Sequence, residues 1–103
     1  MKKIIDGKLY DTETAECLHE YWNRLSTSDF KSVEETLYKT KKGTYFLHGR
    51  GGGLSVWAEH TGNGSGYGQA IVPMSEQEAI EWLETHEGDD VLLALFADKI
   101  TEA

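Results

Sequence analysis

The stretch from His48 to Trp57, HGRGGGLSVW, combines a histidine and an arginine with three consecutive glycines, and a second glycine-rich run follows at 61–68. A phosphate-binding P-loop needs a lysine followed by serine or threonine after its last glycine, and this stretch has no lysine there. The dinucleotide pattern Gly-x-Gly-x-x-Gly also fails, because its last position is Leu54 in the first run and Tyr67 in the second. The segment from 49 to 68 therefore predicts a mobile, irregular loop, in which only 54–60 could form a short helical turn or a strand, and no nucleotide cofactor.

Four histidines and one cysteine are the other residues that often carry chemistry: His19, His48, His60, His86 and Cys17. No two histidines have the i, i+4 spacing that places a metal-binding pair on one helical face. His48 is expected at the end of a strand beside Arg50, where a nuclease or hydrolase would place a general base, although a hydrogen-bonded structural role is more common there. No serine or cysteine nucleophile lies in a recognisable turn, and Cys17 suits a small half-buried position. We predict no catalytic residue, no metal and no cofactor, so the chain is not expected to be an enzyme.

Residues 33–48 predict a β-hairpin around the turn Lys41-Lys42-Gly43. If Thr40 lies opposite Thr44, Tyr38 faces Phe46 and Leu37 faces Leu47. The aromatic and basic residues of this hairpin allow two interpretations. In the first, they form a stacking and phosphate-binding platform for single-stranded nucleic acid. In the second, the aromatic rings pack across the strands and the lysines are solvated. The residues concerned are Tyr38, Lys39, Lys41, Lys42 and Tyr45.

Negative charge is concentrated in the second half of the chain. Residues 1–50 carry nine Lys/Arg against eight Asp/Glu, whereas residues 51–103 carry one, Lys99, against ten. This distribution indicates either a solvated face that maintains solubility or a surface that meets a basic partner, and it disfavours ordinary binding of duplex DNA. The acidic positions that we expect on this face are Glu76, Glu81, Glu84, Glu87, Asp89 and Asp90.

The remaining elements complete an α+β pattern. Residues 15–23 fit a helix or a strand, with a strand favoured by Tyr21 and Trp22, and residues 69–73 predict another strand. A capping box at 75–78 starts a helix, for which Gly88 is a good stop signal. Asp89 or Asp90 is then expected to cap a second helix. We predict one domain over 1–103, with a small, mainly antiparallel sheet of four or five strands followed by two C-terminal helices.

The second helix, VLLALFADKI at 91–100, has apolar residues around too much of its circumference for a surface helix. It is therefore buried against the sheet or packed on a second subunit, which leaves a monomer and a homodimer open. The single cysteine excludes an internal disulfide and fits a reducing compartment. No apolar run approaches the length of a signal peptide or of a membrane span, so we expect a cytoplasmic protein with no membrane partner.

Short motifs along nearly the whole chain resemble those of a group of small, largely uncharacterised proteins that are encoded on mobile elements, phage or conjugative, of Gram-positive bacteria. The matching residues are Tyr10–Ala15, Ser28–Phe30, Glu35–Tyr38, Phe46–Gly49 and Ile71–Met74. This chain departs from the group at Arg50, where the group often has an acid. The resemblance implies a mobile-element origin, and such elements carry compact proteins that block host defence, anti-CRISPR proteins among them. Several of those inhibitors present acidic side chains to nucleic-acid sites.

Together these features predict a non-enzymatic, acidic binding protein of a mobile element. We expect it to act as an inhibitor of the anti-CRISPR type, which blocks a host nucleic-acid-processing defence complex by protein–protein contact. The acidic positions of the helical segment would steer the partner, and Arg50, Trp57 and Tyr67 of the glycine loop would supply adaptable contacts. The aromatic residues of this loop fit equally well as rings that close over an edge of the core. The alternative is a single-stranded nucleic-acid-binding module that uses the hairpin 33–48, and direct binding of nucleic acid is the less favoured of the two.

Overall fold

The computed structural model describes all 103 residues and contains eight strands, two α-helices and one 3-10 helix. The strands in chain order are β1 Lys2–Ile5, β2 Lys8–Asp11, β3 Glu16–Trp22, β4 Val33–Lys39, β5 Tyr45–Gly51, β6 Glu59–Thr61, β7 Gly64–Gly66 and β8 Gly68–Met74. The helices are α1 Glu76–Thr85 and α2 Asp89–Leu95, and the 3-10 helix is Ala97–Lys99. The predicted α+β class with two helices at the C-terminal end is confirmed.

The largest sheet is antiparallel, with strand order β3-β4-β5-β8. The pairing of β4 with β5 has the predicted register, with Tyr38 opposite Phe46 and Leu37 opposite Leu47. Gly43 has a φ of 89°, the left-handed conformation that the last residue of a three-residue hairpin loop adopts. The segment that suited either a helix or a strand is the edge strand β3. Its regular alternation is broken at Leu18, where a bulge shifts the register.

A separate hairpin of β1 and β2 covers part of the sheet face opposite the helices. Its turn is the Asp6-Gly7 pair, and both residues have positive φ, 51° and 76°, as the tight turn of a two-residue hairpin requires. Tyr10 is buried and meets the ring of Phe46 edge-on at 5.5 Å between centroids. This contact extends the apolar packing to Ile71 on β8.

The two helices cover the other face of the sheet and enclose the main core. The N-terminus of α1 has the predicted capping box, in which the Glu78 amide donates to Ser75 Oγ at 3.1 Å and the Ser75 amide donates to Glu78 Oε1 at 2.9 Å. Below it, Leu37 and Leu83 are completely buried between the sheet and α1. No helix of the protein combines the length and the apolar character that crossing a membrane requires.

The junction between α1 and α2 differs from the prediction. Glu87, not Gly88, takes the left-handed conformation after α1, with a φ of 62°, and the Gly88 amide donates to the Leu83 carbonyl at 2.7 Å. Gly88 is then itself the N-cap of α2, so neither Asp89 nor Asp90 caps that helix. A Cβ at position 88 would lie 2.5 Å from Leu83 Cδ2, so a side chain there would displace a fully buried residue of the core.

The second helix is also shorter and less buried than expected. It ends at Leu95, and only Leu92 and the following Phe96 are buried in the core. Leu93 and Leu95 remain 62% and 47% exposed. The apolar residues on the outer side of α2 are therefore surface residues.

The segment from 49 to 68 is more regular than predicted in two respects. Strand β5 continues to Gly51, and β6 pairs with β7 in a small hairpin within the segment. The part between them is held by backbone hydrogen bonds to the preceding loop, from the Gly52 amide to the Ser32 carbonyl at 3.0 Å and from the Leu54 amide to the Phe30 carbonyl at 2.7 Å. The missing side chain of Gly52 allows this approach, because a Cβ there would lie 2.4 Å from a backbone oxygen.

Candidate functional site: an acidic helical face and a buried carboxylate cluster

The six predicted acidic residues all lie exposed on α1, on the first turn of α2 or on the turn between the helices, and we call this surface the acidic helical face. They are Glu76, Glu81, Glu84, Glu87, Asp89 and Asp90. Two are engaged within the chain. Glu76 Oε1 pairs with Lys99 Nζ at 3.0 Å, and Glu81 Oε1 accepts from Gln77 Nε2 at 3.2 Å. The hydrogen bond to Glu76 raises the pKa of Lys99, and Asp98 adds to this. The face keeps most of its negative charge free for an external partner.

The three loop residues predicted to contact a partner do not form one surface. Arg50 and Tyr67 are exposed and line a cleft of about 310 Å³ together with Glu34. Arg50 Nε donates to Glu34 Oε2 at 2.6 Å, and this bond raises the pKa of the guanidinium. Trp57 is directed elsewhere, with its indole turned into the protein and packed on Gly49. Its side chain therefore belongs to the internal structure and is not an exposed contact.

The partner of Trp57 is Glu35, a buried carboxylate that the sequence analysis did not single out. Glu35 is 8% exposed and lies on β4, on the sheet face that the helices cover. Trp57 Nε1 donates to its Oε2 at 2.7 Å, and Trp82 Nε1 of α1 donates to its Oε1 at 2.7 Å. Both oxygens are thus satisfied by indole donors, which compensates the cost of burying the charge. This carboxylate joins the sheet, the glycine-rich segment and α1.

His86, at the C-cap of α1, completes this group of residues, which we call the Glu35 cluster. Its Nε2 lies 3.5 Å from Glu35 Oε1, and its Nδ1 donates to the Trp82 carbonyl at 2.7 Å. Its ring stacks on Trp82 at 4.6 Å between centroids and meets Tyr21 edge-on at 4.7 Å. His19 Nε2 of β3 donates to the His86 carbonyl at 2.8 Å. Both ring nitrogens of His86 face groups of the protein itself, as expected of a residue that fixes structure.

The hairpin residues do not form the predicted stacking platform. Tyr38 and Tyr45 lie on opposite faces of the sheet, because Tyr38 pairs with Phe46 and Lys39 pairs with Tyr45. Tyr45 is 7% exposed and packs against Phe96 beneath the helices, with Lys39 Nζ 5.6 Å from its ring. Only Lys41 and Lys42 at the turn are fully exposed. The geometry fits cross-strand packing with solvated lysines.

His48 lies in the middle of β5 and not at the end of a strand, so that part of the prediction is wrong. Its Nε2 donates to Gln69 Oε1 on β8 at 3.0 Å, and its strand neighbours across the sheet are Thr36 and Ile71. No group of three His, Cys, Asp or Glu side chains is placed to hold a metal ion. Cys17 is exposed on the edge strand and not half-buried as predicted. Desolvation by its neighbours and the charge of Glu20 raise the pKa of its thiol, which lowers its reactivity.

Comparison of the chain with protein families, with curated proteins and with solved structures found no match. The resemblance to proteins of mobile elements therefore stays a prediction from the motifs.

Proposed function

We propose that the protein is a non-enzymatic binding protein whose acidic helical face docks on a basic surface of a protein that processes nucleic acid. The observation that carries the proposal is the segregation of charge. The six carboxylates of the acidic helical face are all exposed, and Lys99 is the one cation of the second half of the chain. Such a field attracts a basic surface over roughly 8–10 Å at physiological salt and raises the association rate.

The expected mode of action is competition with nucleic acid. A groove that binds phosphates presents Lys and Arg side chains, and carboxylates on a rigid helix satisfy the same donors. The Glu35 cluster supports this role because it fixes the C-terminal end of α1 to the sheet through Trp82 and His86. A rigid face loses little conformational entropy on binding. Together with the motif resemblance, this leads us to propose an anti-CRISPR type of inhibition, in which the partner is a host defence complex that processes nucleic acid.

The rival function, binding of single-stranded nucleic acid by the hairpin, has less support. Tyr38 and Tyr45 do not share a face, so successive bases have no pair of aromatic rings on which to stack. The exposed lysines at the turn face a molecule with a net charge of −8. We expect no gel shift of short single-stranded DNA or RNA at low salt, and a shift abolished by Lys41→Ala with Lys42→Ala would favour the rival.

The test measures target-DNA cleavage by RNA-guided nuclease complexes of Gram-positive bacteria in the presence of increasing amounts of the protein. The charge variant combines Glu81→Gln, Glu84→Gln and Asp89→Asn. A matched control removes the same number of negative charges elsewhere, with Asp6→Asn, Glu13→Gln and Glu59→Gln, all at exposed positions outside the helices and away from β3. Circular dichroism verifies that both variants are folded.

The wild type and the control should inhibit alike, whereas the charge variant should associate with the nuclease about tenfold more slowly at low salt. The difference should disappear as salt is raised, because screening removes the steering. An equal fall in association rate in both variants would show that only net charge matters, and the proposal that the acidic helical face binds the partner would be wrong. Unaltered cleavage by every complex at micromolar wild-type protein would overturn the inhibitor function itself.

A further inference from the structure

A groove follows the edge strand β3 on the side of the helices. It consists of two clefts that succeed one another along the strand. The first, of about 270 Å³, lies between the start of β3 and α2, and its apolar lining includes Leu18, Val91 and Leu95. The second, of about 290 Å³, continues along the rest of β3 beside the end of α1 and contains Arg24 and Glu87. A strand on one side and a helical layer on the other are the walls that hold extended peptides in known strand-addition sites.

The backbone of β3 is free to accept another strand. Its one hydrogen-bonded neighbour in the sheet is β4. The Asn23 amide donates inward to the Val33 carbonyl at 3.1 Å. Because alternate residues of an antiparallel strand point their amides to opposite edges, the amides of Glu20 and Trp22 point away from β4 and into the groove edge. Unpaired donors and acceptors of this kind are the template for an added strand.

The bulge in β3 shapes the apolar end of the groove. Leu18 has no partner on β4, because Cys17 pairs with Tyr38 and the next pair is His19 with Leu37. The extra residue turns Leu18 towards the helical layer, where it packs against the core. Leu95 beside it is 47% exposed. An aliphatic side chain of a bound segment would cover these atoms and remove them from water.

The charges around the groove define the occupant. Glu16 and Asp90 line the apolar end, and Glu20 and Glu87 line the other end, against the single guanidinium of Arg24. A bound segment with Lys or Arg on either side of an aliphatic residue would match this pattern. A second copy of the chain would instead place its own Glu16 and Glu20 against those of the first, which like-charge repulsion disfavours.

We infer that the β3 groove binds an extended, Lys/Arg-flanked aliphatic segment of a protein partner, which adds to the sheet as a fifth strand next to β3. The groove shares Glu87 and Asp90 with the acidic helical face, so the inference deepens the proposed function and rests on it for the class of partner. It adds a defined binding mode, in which main-chain hydrogen bonds give affinity and the apolar cleft selects the side chain.

The experiment uses the full-length protein and a fluorescein-labelled heptapeptide, Arg-Thr-Ile-Thr-Ile-Thr-Lys, in fluorescence anisotropy. Two further peptides test the mode of binding. In one, both terminal charges are replaced by Glu, and in the other, alternate amides are N-methylated. The blocking variant is Ala94→Arg, since Ala94 is exposed and lines the apolar cleft. Leu93→Arg is its matched control, with the same added charge on an exposed neighbouring position that does not line the cleft.

The heptapeptide should bind the wild type and Leu93→Arg alike, within twofold, and bind Ala94→Arg at least tenfold more weakly. The Glu-ended and N-methylated peptides should each bind the wild type at least tenfold more weakly than the heptapeptide does. Hydrogen exchange should slow at the amides of Glu20 and Trp22 when the peptide is bound. Absence of binding, equal binding to Ala94→Arg and Leu93→Arg, or unchanged exchange in β3 would each overturn the inference. So would dimerisation of the free protein that Ala94→Arg abolishes, because the occupant would then be a second copy.

The two proposals fail separately. If Ala94→Arg still inhibits the nuclease and the heptapeptide does not bind, the groove is not a binding site, whereas the proposal for the acidic helical face stands. Peptide binding that persists while the wild type inhibits no nuclease would remove the inhibitor function and keep the groove as a site for another basic segment.

Discussion

Replacement of Glu35 by glutamine tests whether the buried carboxylate holds the protein together. Glu35 accepts one hydrogen bond on each oxygen, from Trp57 and from Trp82. Glutamine keeps the shape but offers one acceptor oxygen and one amino group, so one indole N–H would meet another donor. The adjacent Glu34 supplies the matched control, since its side chain pairs with Arg50 on the solvent-exposed side of the sheet.

The expected loss follows from the two bonds. A hydrogen bond to a charged group contributes about 1.5–3 kcal/mol, and a buried donor left unpaired costs about 1–3 kcal/mol. The neutral amide recovers part of the desolvation cost of the carboxylate. We therefore expect Glu35→Gln to lower the free energy of unfolding by about 3 kcal/mol, a large part of the 5–15 kcal/mol typical of a domain. Glu34→Gln should cost less than about 1 kcal/mol, as exposed ion pairs do.

Urea denaturation followed by circular dichroism and by tryptophan fluorescence measures both variants under identical conditions. In thermal unfolding, a loss of about 3 kcal/mol corresponds to a fall in Tm of roughly 12–24 °C for a chain of this length. Trp57→Phe should cost less in the Glu35→Gln background than in the wild type, because the two residues share one bond. If Glu35→Gln were no less stable than Glu34→Gln, the cluster would not be a major source of stability.

Two further predictions concern the glycine-rich segment and the start of α1. Gly49→Ala should displace Trp57 and speed hydrogen exchange at 52–57, because a Cβ at position 49 would lie 2.0 Å from the indole ring, whereas Gly62→Ala meets nothing within 4 Å and should be neutral. Hydrogen bonds from the backbone and side chain of Ser75 lower the pKa of Glu78 below its ordinary value of 4.5, so its contribution to stability is present above that pH and is lost as the pH falls through the lowered value. Urea denaturation should therefore show Glu78→Gln less stable than the wild type at neutral pH, with the difference shrinking as the pH falls through the lowered pKa of Glu78. A constant difference would contradict the assignment.

The parts of the fold that follow from local sequence were predictable. The register of the β4–β5 hairpin came from two alternating runs and from one glycine at the left-handed position of the turn. The junction of the two helices was not predictable, because the position of Gly88 as N-cap depends on how closely Leu83 approaches it. Strand β3 was ambiguous for a local reason, since the bulged Leu18 breaks the alternation that identifies a strand.

The Glu35 cluster shows where sequence reasoning stops. Glu35 stands two residues before the buried Leu37 on the same face of β4, and an acid at an inward position was the one available signal. Its donors lie 22 and 47 residues further along the chain, so no spacing rule connects them. For Trp57 the sequence left two alternatives open, a surface anchor and a ring that closes over the edge of the core. The structure shows that the nearby glycines allow the indole to pack inward, as at Gly49.

The cluster also determines how the proposed binding surfaces are presented. His19 of β3 donates a hydrogen bond to the carbonyl of His86. The His86 ring donates to the carbonyl of Trp82, and the Trp82 indole donates to Glu35. These bonds hold the end of α1 at a constant distance from the edge strand, and Glu87 follows directly in a left-handed conformation. Glu35 does not line the groove, but a disturbance there is expected to reach it through Trp82 and His86, and His86 lines the second cleft. Glu35→Gln should thus weaken binding of the basic heptapeptide at temperatures where the variant is still folded, whereas Glu34→Gln should leave its affinity unchanged. Equal affinity in both variants would mean that the groove keeps its shape independently of the cluster.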